Sequence, residues 1–508
     1  MKISKFNVIN TCNNSTFIYN TLTTGFVKME TKQWFSIYEN IKKKGNVIED
    51  KVCAILQNAG ILVDDDYNEL NVYKYKCYSS MFQNSSLILS IAPTMKCNFN
   101  CFYCFEDGKK NIGLMSDDIE SRLIKFISLH RQQEIHITWF GGEPLLGFDR
   151  IYSICKHLRQ LKIKFASDMI TNGSLLNESI IQKLDILNLK YIQISLDGIA
   201  ETHDKRRIFN NGAPSFNLII ENIRKLVSLT DIPLSIKVTM DHTNPTLLSD
   251  ITNYFNNNFS EYLRKGQIAI SHNYVRDRTD FDKSGNCFTH EDLLKQDQDA
   301  LRNKEKALVY PELPNLAMPC MFRCKNSLAI DSKGHIYKCL EHLGVPNNKV
   351  GDLAKGTLSL EKLSETMFGH NPFDSDECVN CNVFPICGGG CPIDRNKNWG
   401  KIKNTVQCIK GIYQKSFQIF ICINIQVDEK DINLISLLCK LFLLFRSRRN
   451  KRQYFSYNHR IGQCCGERTY ATCENQRERF QDSGCQYCAI ENGYGNENVV
   501  AYTGSAFG

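Results

Sequence analysis

The chain has 508 residues, 42% hydrophobic and 23% charged, with Lys+Arg 62 against Asp+Glu 54 and a formal net charge of +8. This composition excludes wholesale disorder, and the charge excess is too mild at this length to point to nucleic acid or a membrane as partner. At roughly 150 residues per domain the length predicts about three domains.

Residues 1–85 read as a small mixed unit. Short strands are expected at Thr16–Tyr19 and Gly25–Met29, amphipathic helices at Lys32–Lys42 and Ile48–Asn58, and a strand over Gly60–Val63. From 86 to 275 the pattern is regular. Apolar runs at Leu87–Ala92, Ile135–Phe140, Ala166–Ile170, Tyr191–Leu196, Leu234–Met240 and Gln267–Ser271 alternate with helix-period stretches. The latter fall at Asp117–Leu129, Phe148–Leu161, Glu178–Leu187, Phe216–Leu229 and Leu247–Phe255. Six such strands predict an α/β fold, a partial (β/α)6 TIM-like barrel with its chemistry at the C-terminal strand ends. Residues 276–315 form a charged connector. Residues 316–422 are rich in Cys, Gly and Pro and short of long periodic helices, so a metal core is expected there in place of an apolar one. After 422, Ile432–Phe445 is apolar but short and interrupted by Lys440, and Arg446–Arg452 is basic. A packed helix followed by a solvated charge run is the expected reading, in preference to an interfacial membrane anchor.

Cysteine is the unusual component, with 23 residues, an odd number that cannot pair completely within one chain. Met1–Phe17 lacks the apolar run of a secretory signal, so a reducing cytoplasm is expected, with thiols serving metal or catalysis. Seven cysteines stand alone (Cys12, Cys53, Cys77, Cys155, Cys287, Cys422 and Cys439) and are expected to pack as small hydrophobes. The others are clustered. Cys97, Cys101 and Cys104 follow the first barrel strand with the spacing C-x3-C-x2-C. Three thiolates can hold three irons of a cubane and leave the fourth iron open to a ligand. The alternative is a zinc knuckle, which asks for a nearby fourth ligand; His130 and His136 are poorly placed for it.

This triad, with Tyr103 before the last cysteine, resembles the signature of the radical S-adenosylmethionine (SAM) enzymes. The resemblance implies that SAM chelates the open iron and is cleaved reductively to a 5′-deoxyadenosyl radical that abstracts hydrogen from substrate. Gly141-Gly-Glu-Pro144 after the second strand, Thr171-Asn-Gly173 after the third, and Ser195-Leu-Asp-Gly198 with His203–Arg207 after the fourth are similar to the family's further motifs. They imply SAM contacts from Gly141, Gly142, Glu143, Pro144, Asn172, Ser195 and Arg207.

A later array, Cys324-x9-Gly334-x4-Cys339, Cys378-x2-Cys381-x5-Cys387-x3-Cys391 and Cys408, is similar to the SPASM domain appended to peptide-modifying radical enzymes. With Cys320 it implies two auxiliary [4Fe-4S] clusters, hence three in all: Cys320, Cys324, Cys339 and Cys391 nearer the site, and Cys378, Cys381, Cys387 and Cys408 farther out. If Cys320 is not a ligand, the nearer cluster has an open iron for a substrate thiolate. Structural zinc at two four-thiolate sites is the alternative.

The family resemblance implies a peptide or protein substrate, an electron donor such as flavodoxin or ferredoxin, and a thioether or carbon–carbon crosslink as product. The alternative within the family is anaerobic sulfatase maturation, oxidation of Cys or Ser to formylglycine. That chemistry needs a base; Asp241, after strand five, is a carboxylate there, though no motif singles it out. An alternative of another class is a non-catalytic iron–sulfur regulator, which would not cleave SAM. The N-terminal unit resembles the winged-helix modules that dock a leader peptide on a sheet edge, an arrangement in which main-chain bonds give affinity; a domain that merely caps the barrel is the alternative. For residues 423–508, with Cys464, Cys465, Cys473, Cys485 and Cys488, two readings stand: a fused substrate-like segment, or an unrelated extension, which composition favours.

Overall fold

The computed structural model describes residues 1–43, 49–106, 108, 113–244, 246–275, 292, 320–369, 371–393, 395 and 499–502. The connector, Cys408, the apolar–basic stretch after 422 and the late cysteines lie outside the described residues. Among the described residues no helix is long and apolar enough to cross a membrane.

The N-terminal unit runs β1 (Lys2–Ile3), β2 (Asn7–Cys12), β3 (Ser15–Asn20), β4 (Phe26–Glu30), α1 (Thr31–Lys42), α2 (Asp50–Asn58), β5 (Leu62–Val63) and α3 (Glu69–Met81). Strands β2, β3 and β4 form an antiparallel meander. Asn13 and Asn14, both at positive φ (46° and 61°), make the two-residue turn between β2 and β3, the conformation that matches strand twist and that Asn tolerates. One sheet face places Ile18, Val27 and Met29 against Trp34, Ile37, Val52 and Leu56 of the two helices. The other face places Val8, Phe17 and Tyr19 against Tyr73 of α3 and against Cys381, Val383 and Phe384.

The central sheet carries β6 (Ser86–Ile91), β7 (Glu134–Trp139), β8 (Phe165–Thr171), β9 (Leu189–Ser195), β10 (Leu234–Met240) and β11 (Ile268–Tyr274), all parallel and in consecutive order. Each apolar run expected from the sequence is one of these strands. On the far side of β6 the sheet continues with β12 (Ser327–Ile330), which is also parallel. Then come β13 (His335–Tyr337), β14 (Gly351–Asp352) and β15 (Thr357–Leu358), antiparallel. The Cys-rich segment therefore prolongs the sheet, adding a seventh parallel strand to the six expected.

Strand side chains alternate, and the two faces differ in chemistry. Leu87, Leu89, Ile91, Ile135, Ile137, Ile192, Ile194, Ile236 and Val238 enter the main core. There they meet α4 (Asp117–Leu129), α5 (Phe148–Gln160), α8 (Phe216–Leu229) and α9 (Leu247–Asn258), numbered with α6 (Glu178–Ile181) and α7 (Ala200–Arg206) between them. The intervening positions, Ser90, His136, Thr138, Asp168, Gln193, Ser195, Lys237 and Thr239, are polar and line the opposite face. A barrel interior filled with layered Val, Ile and Leu is a packed core; a polar one is a working surface.

The helix expected over Glu178–Leu187 divides. After α6 a 3-10 turn at Leu184–Leu187 buries both leucines, whose three-residue spacing suits that tighter winding, and it ends on left-handed Asn188. Helix α3 was not expected, because its apolar residues share no clean face with the usual period. Of its buried positions Glu69, Tyr73 and Met81, Tyr73 packs on the Cys-rich segment, whereas Glu69 accepts from Ser4 Oγ and Lys5 N. Tyr73 Oη donates to the Phe384 carbonyl (3.3 Å) and Thr21 Oγ1 to the Asn382 carbonyl (2.6 Å). Phe384, 2% exposed, fills this seam. Phe384→Ala is expected to lower stability by about 3–5 kcal/mol, read by urea denaturation, with accelerated amide exchange in both β3 and α3.

Candidate active site

The C-terminal ends of β6 to β10 carry one continuous hydrogen-bonded assembly. After β6 the chain turns through Cys97, Cys101 and Cys104, all partly buried. Burial, with the neighbouring Glu143, Cys101 and Cys104 adding to it, pushes the Cys97 thiol up to about 12. Thiols so crowded become thiolates only beside a positive group. The loop is pinned on both sides. Asn210 donates from its backbone to the Asn98 carbonyl (2.9 Å) and from its side chain to the Cys97 carbonyl (2.8 Å). Phe99 is buried edge-on against Phe209, with ring centroids 4.8 Å apart.

Behind this loop lies Gly141-Gly-Glu-Pro144. Gly141 has φ +125°, and an added Cβ at Gly142 would collide with the carbonyl oxygens of Met95 and Lys96, the residues just before Cys97. Glycine is needed there for the two backbones to touch. Glu143 N donates to the Lys96 carbonyl (2.9 Å). The Glu143 side chain, fully buried, accepts from Thr171 Oγ1 (2.6 Å), Asn172 N (2.7 Å) and Leu145 N (3.0 Å). Burial raises its pKa and these donors oppose the rise. Pro144 opens the 3-10 turn Pro144–Gly147. Asn172 in turn donates to Asn98 Oδ1 (2.8 Å), between the first two cysteines, and accepts from Ser174 N and Oγ. Glu143 and Asn172 thus act as fasteners between strand ends.

From β9 it is Asp197 that reaches the thiol loop. Tyr103 Oη donates to Asp197 Oδ2, Thr239 N donates to Asp197 Oδ1 (3.0 Å), and Arg207 Nη1 donates to Tyr103 Oη (2.7 Å). Ser195 ends β9 beside Lys237 in register on the polar face. Arg207 Nε is buried with no hydrogen-bond partner among the described residues. Burial works against the Arg207 charge, yet Cys101, Tyr103 and Asp197 together hold its pKa well above the usual range. Arg206, 3% exposed, lies 3.5 Å from Asp197 and 2.8 Å from Asp241. Asp241 is therefore a buried counter-ion of Arg206. Asn98, Ser174 and Asn210 carried no signal of their own in the sequence, while Tyr103 and Asp197 entered only as members of motifs, with no role assigned.

The Cys320, Cys324, Cys339 and Cys391 thiols are neighbours. Besides burial, Cys391 raises the pKa of Cys320, Cys320 that of Cys324, and both Cys320 and Cys391 that of Cys339. An apolar cluster of Ala92, Met95, Met321, Ala329, Tyr337 and Leu343, with Phe140 and Leu340 against it, ties this quartet to the base of the first thiol loop. Lys338, fully buried, donates to the Ser327 carbonyl (2.7 Å) and to that of Cys324; burial depresses its pKa to about 8. No sequence signal marked it. Cys378, Cys381 and Cys387 lie against the N-terminal unit, where Cys12 and Cys77, expected to be inert singletons, pack on the same apolar cluster as Cys378 and Cys381. Arg395 Nη1 donates to Cys378 Sγ (3.4 Å).

The residues at the strand ends fit a cluster with one iron open to a ligand. Three thiols share one loop, a glycine pair lets the neighbouring backbone approach that loop closely, and a buried guanidinium nitrogen of Arg207 has no hydrogen-bond partner among the described residues. Among the described residues no three His, Cys, Asp or Glu side chains converge as a single metal ion requires.

Residues 91–265 match the family model described as Radical SAM superfamily. A cysteine-type anaerobic sulfatase-maturating enzyme of Clostridium novyi (strain NT) is 25% identical over 382 residues, 70% of this chain and 98% of that enzyme. The radical SAM cyclopropyl synthase TigE of Paramaledivibacter caminithermalis is 22% identical, over 68% of this chain and 76% of its own length. The solved structure of polyhistidine-tagged anSMEcpe with bound AdoMet superposes with a TM-score of 0.54 at 18% identity, over 72% of this chain and 98% of that one, a likeness of fold.

His203, fully buried, accepts from Asp197 N at Nδ1 (3.1 Å) and meets Ser215 Oγ at Nε2 (3.0 Å). A proton on Nδ1 would face that amide proton, so burial, with Arg207 and Arg206 nearby, holds its pKa well below the usual value. The unfolded chain binds this proton near about 6.5 and the native one does not, so native stability falls as pH drops below that point. Relative to His203→Gln, the protein is expected to lose about 1.4 kcal/mol per pH unit between pH 6 and 5, read by urea denaturation; parallel profiles would contradict this.

Proposed function

With a radical SAM domain over residues 91–265, and the protein therefore an enzyme, we propose that it cleaves SAM reductively and modifies a peptide or protein. The observation that carries this is the assembly joining Cys97, Cys101 and Cys104 to Gly141–Glu143, Asn172 and Arg207. When bound, a four-iron cluster and SAM supply an electron and a breakable C–S bond, and from them hydrogen abstraction. Cys97, Cys101 and Cys104 would hold three irons in this reading. The Gly141–Gly142 segment would receive the amino acid end of SAM, and Arg207 would serve its nucleoside or carboxylate. Ser195 stands ready on the polar face. Tyr103 and Asp197 fix the angle of Arg207, and Phe99, Phe209 and Phe140 keep water from the thiol loop.

The Cys320 quartet would hold a second cluster close to the first, consistent with the apolar bridge between the two loops. Cys378, Cys381 and Cys387, with Cys408, would hold a third on the N-terminal side. One-electron traffic with a flavodoxin or ferredoxin is their role in this account. The polar inner face suits an extended peptide, whose main chain needs hydrogen-bond partners throughout.

We favour a crosslink in a ribosomally made peptide, and two observations support it: the small sheet unit at the N-terminus, and the similarity to a cyclopropyl synthase. The similarity along 98% of a sulfatase-maturating enzyme favours formylglycine formation as the second reading. Tandem mass spectrometry separates them: a crosslink removes a pair of hydrogens and blocks fragmentation between the joined residues, whereas formylglycine formation removes a pair of hydrogens (and from Cys also exchanges sulfur for oxygen) and leaves a linear peptide with a hydrazide-reactive aldehyde.

The test of the cofactor set is the metal content of anaerobically reconstituted protein. About twelve irons are expected, falling to about eight in Cys97/Cys101/Cys104→Ala. Stoichiometric zinc, with little iron and no change in the variant, would overturn the reading.

A further inference from the structure

The meander β2–β3–β4 has an edge, because β4 pairs with β3 on one side only. Edge strands present unpaired N–H and C=O groups and are ready acceptors of another strand. In this protein the edge is taken. The late segment β16 (Val499–Tyr502) pairs antiparallel with β4 over its length, in the register Val499↔Met29, Val500↔Lys28, Ala501↔Val27 and Tyr502↔Phe26. It runs alongside α2. The sheet order is accordingly β16, β4, β3, β2.

The edge suits this use. Val27 and Met29 are buried in the core of the unit, at 0% and 1% exposure, so what β4 offers outward is main chain. Recognition through main-chain bonds accepts many sequences, with preference for those that extend readily. The occupant is of that kind. Val-Val-Ala-Tyr is β-branched and aromatic, uncharged and free of proline, between Asn498 and Thr503-Gly504.

We infer that the outer edge of β4 is a strand-acceptor site that the chain fills in cis with its own Val499–Tyr502. Any extended peptide docking there in trans must displace that segment. Only the identity of the competing peptide rests on the function proposed above. Because occupant and site share one chain, Val499–Tyr502 competes as an intramolecular ligand, whose effective concentration is set by the length of the tether. Weak peptides are excluded and a high-affinity recognition sequence is admitted, which makes the strand a selectivity filter for the substrate.

The test uses the full-length chain and its variant Val500→Pro/Ala501→Pro, which deletes two adjacent amide donors. Successive strand residues point their N–H groups to opposite sides, so one of the two must face β4. Hydrogen exchange followed by mass spectrometry is expected to show protection at 499–502 in the wild type. In the variant, protection is lost there and along β4, with β2 and β3 unchanged. A fluorescein-labelled peptide of residues 494–505 is expected to bind the variant at least about tenfold more tightly than the wild type. Unprotected amides at 499–502 in the wild type would overturn the inference. So would β4 exchange that ignores the prolines, or equal binding of the peptide to both proteins. Neither readout needs iron or SAM, so failure of the enzymatic reading would leave this result standing, and the reverse holds equally.

Discussion

The Glu143 carboxylate stands where three strand ends meet, and the geometry of the thiol loop follows from it. Its backbone N–H reaches the Lys96 carbonyl and its side chain takes donors from Thr171 and Asn172. Asn172 passes the connection to Asn98, inside the cysteine triad. A buried carboxylate without such donors would be costly; each donor left without it would cost about 1–3 kcal/mol. The two costs are removed only together, so the ends of β6, β7 and β8 are locked in one arrangement. Gly142 completes the lock by allowing backbone to press on backbone where no Cβ fits.

A second set of buried charges joins β9 and β10 to the same loop. Arg206 between Asp197 and Asp241, and Arg207 beside Tyr103, bring two cations and two anions under the surface. Removing one member of such a group leaves the others uncompensated, which is where its stabilising effect resides. Arg206 lies beside both carboxylates and stacks at 5.2 Å and 5.1 Å on Phe102 and Tyr103. Among the described residues the Nε of Arg206 and the Nε of Arg207 are both buried without a hydrogen-bond partner.

What was legible in the sequence was whatever depends on local period and spacing. The six parallel strands and the helices at Asp117–Leu129 and Phe216–Leu229 show in the alternation of apolar and polar residues. The grouping of Cys320, Cys324, Cys339 and Cys391 came from the resemblance to the SPASM domain and not from spacing. Contacts that depend on tertiary packing were hidden. Helix α3 has no conventional apolar stripe because it packs through Tyr73 on a segment some 300 positions away and through Glu69 on Ser4 and Lys5. Strand β2 was not expected, because its polar Asn7, Asn10 and Thr11 break the apolar pattern. Asp241 looked like an available carboxylate because nothing local reveals that Arg206 pairs with it. Lys338 is an ordinary lysine in the string and a buried cation beside two thiols in the fold.

The Cys-rich segment belongs to two neighbours at once, which is the architectural point of the molecule. Through β12 it extends the catalytic sheet, and through Phe384 it seals the N-terminal unit, so the unit that carries the strand-acceptor edge is mechanically continuous with the thiol loop. The central claim remains that the triad leaves one iron open beside Arg207 and the glycine pair. Electron paramagnetic resonance of the reduced cluster, with Cys320, Cys324, Cys378 and Cys381 replaced by Ala to silence the others, tests it most directly. Addition of SAM is predicted to change the g-values of the signal, because SAM enters the coordination of the open iron. A cluster signal identical with and without SAM would contradict the account.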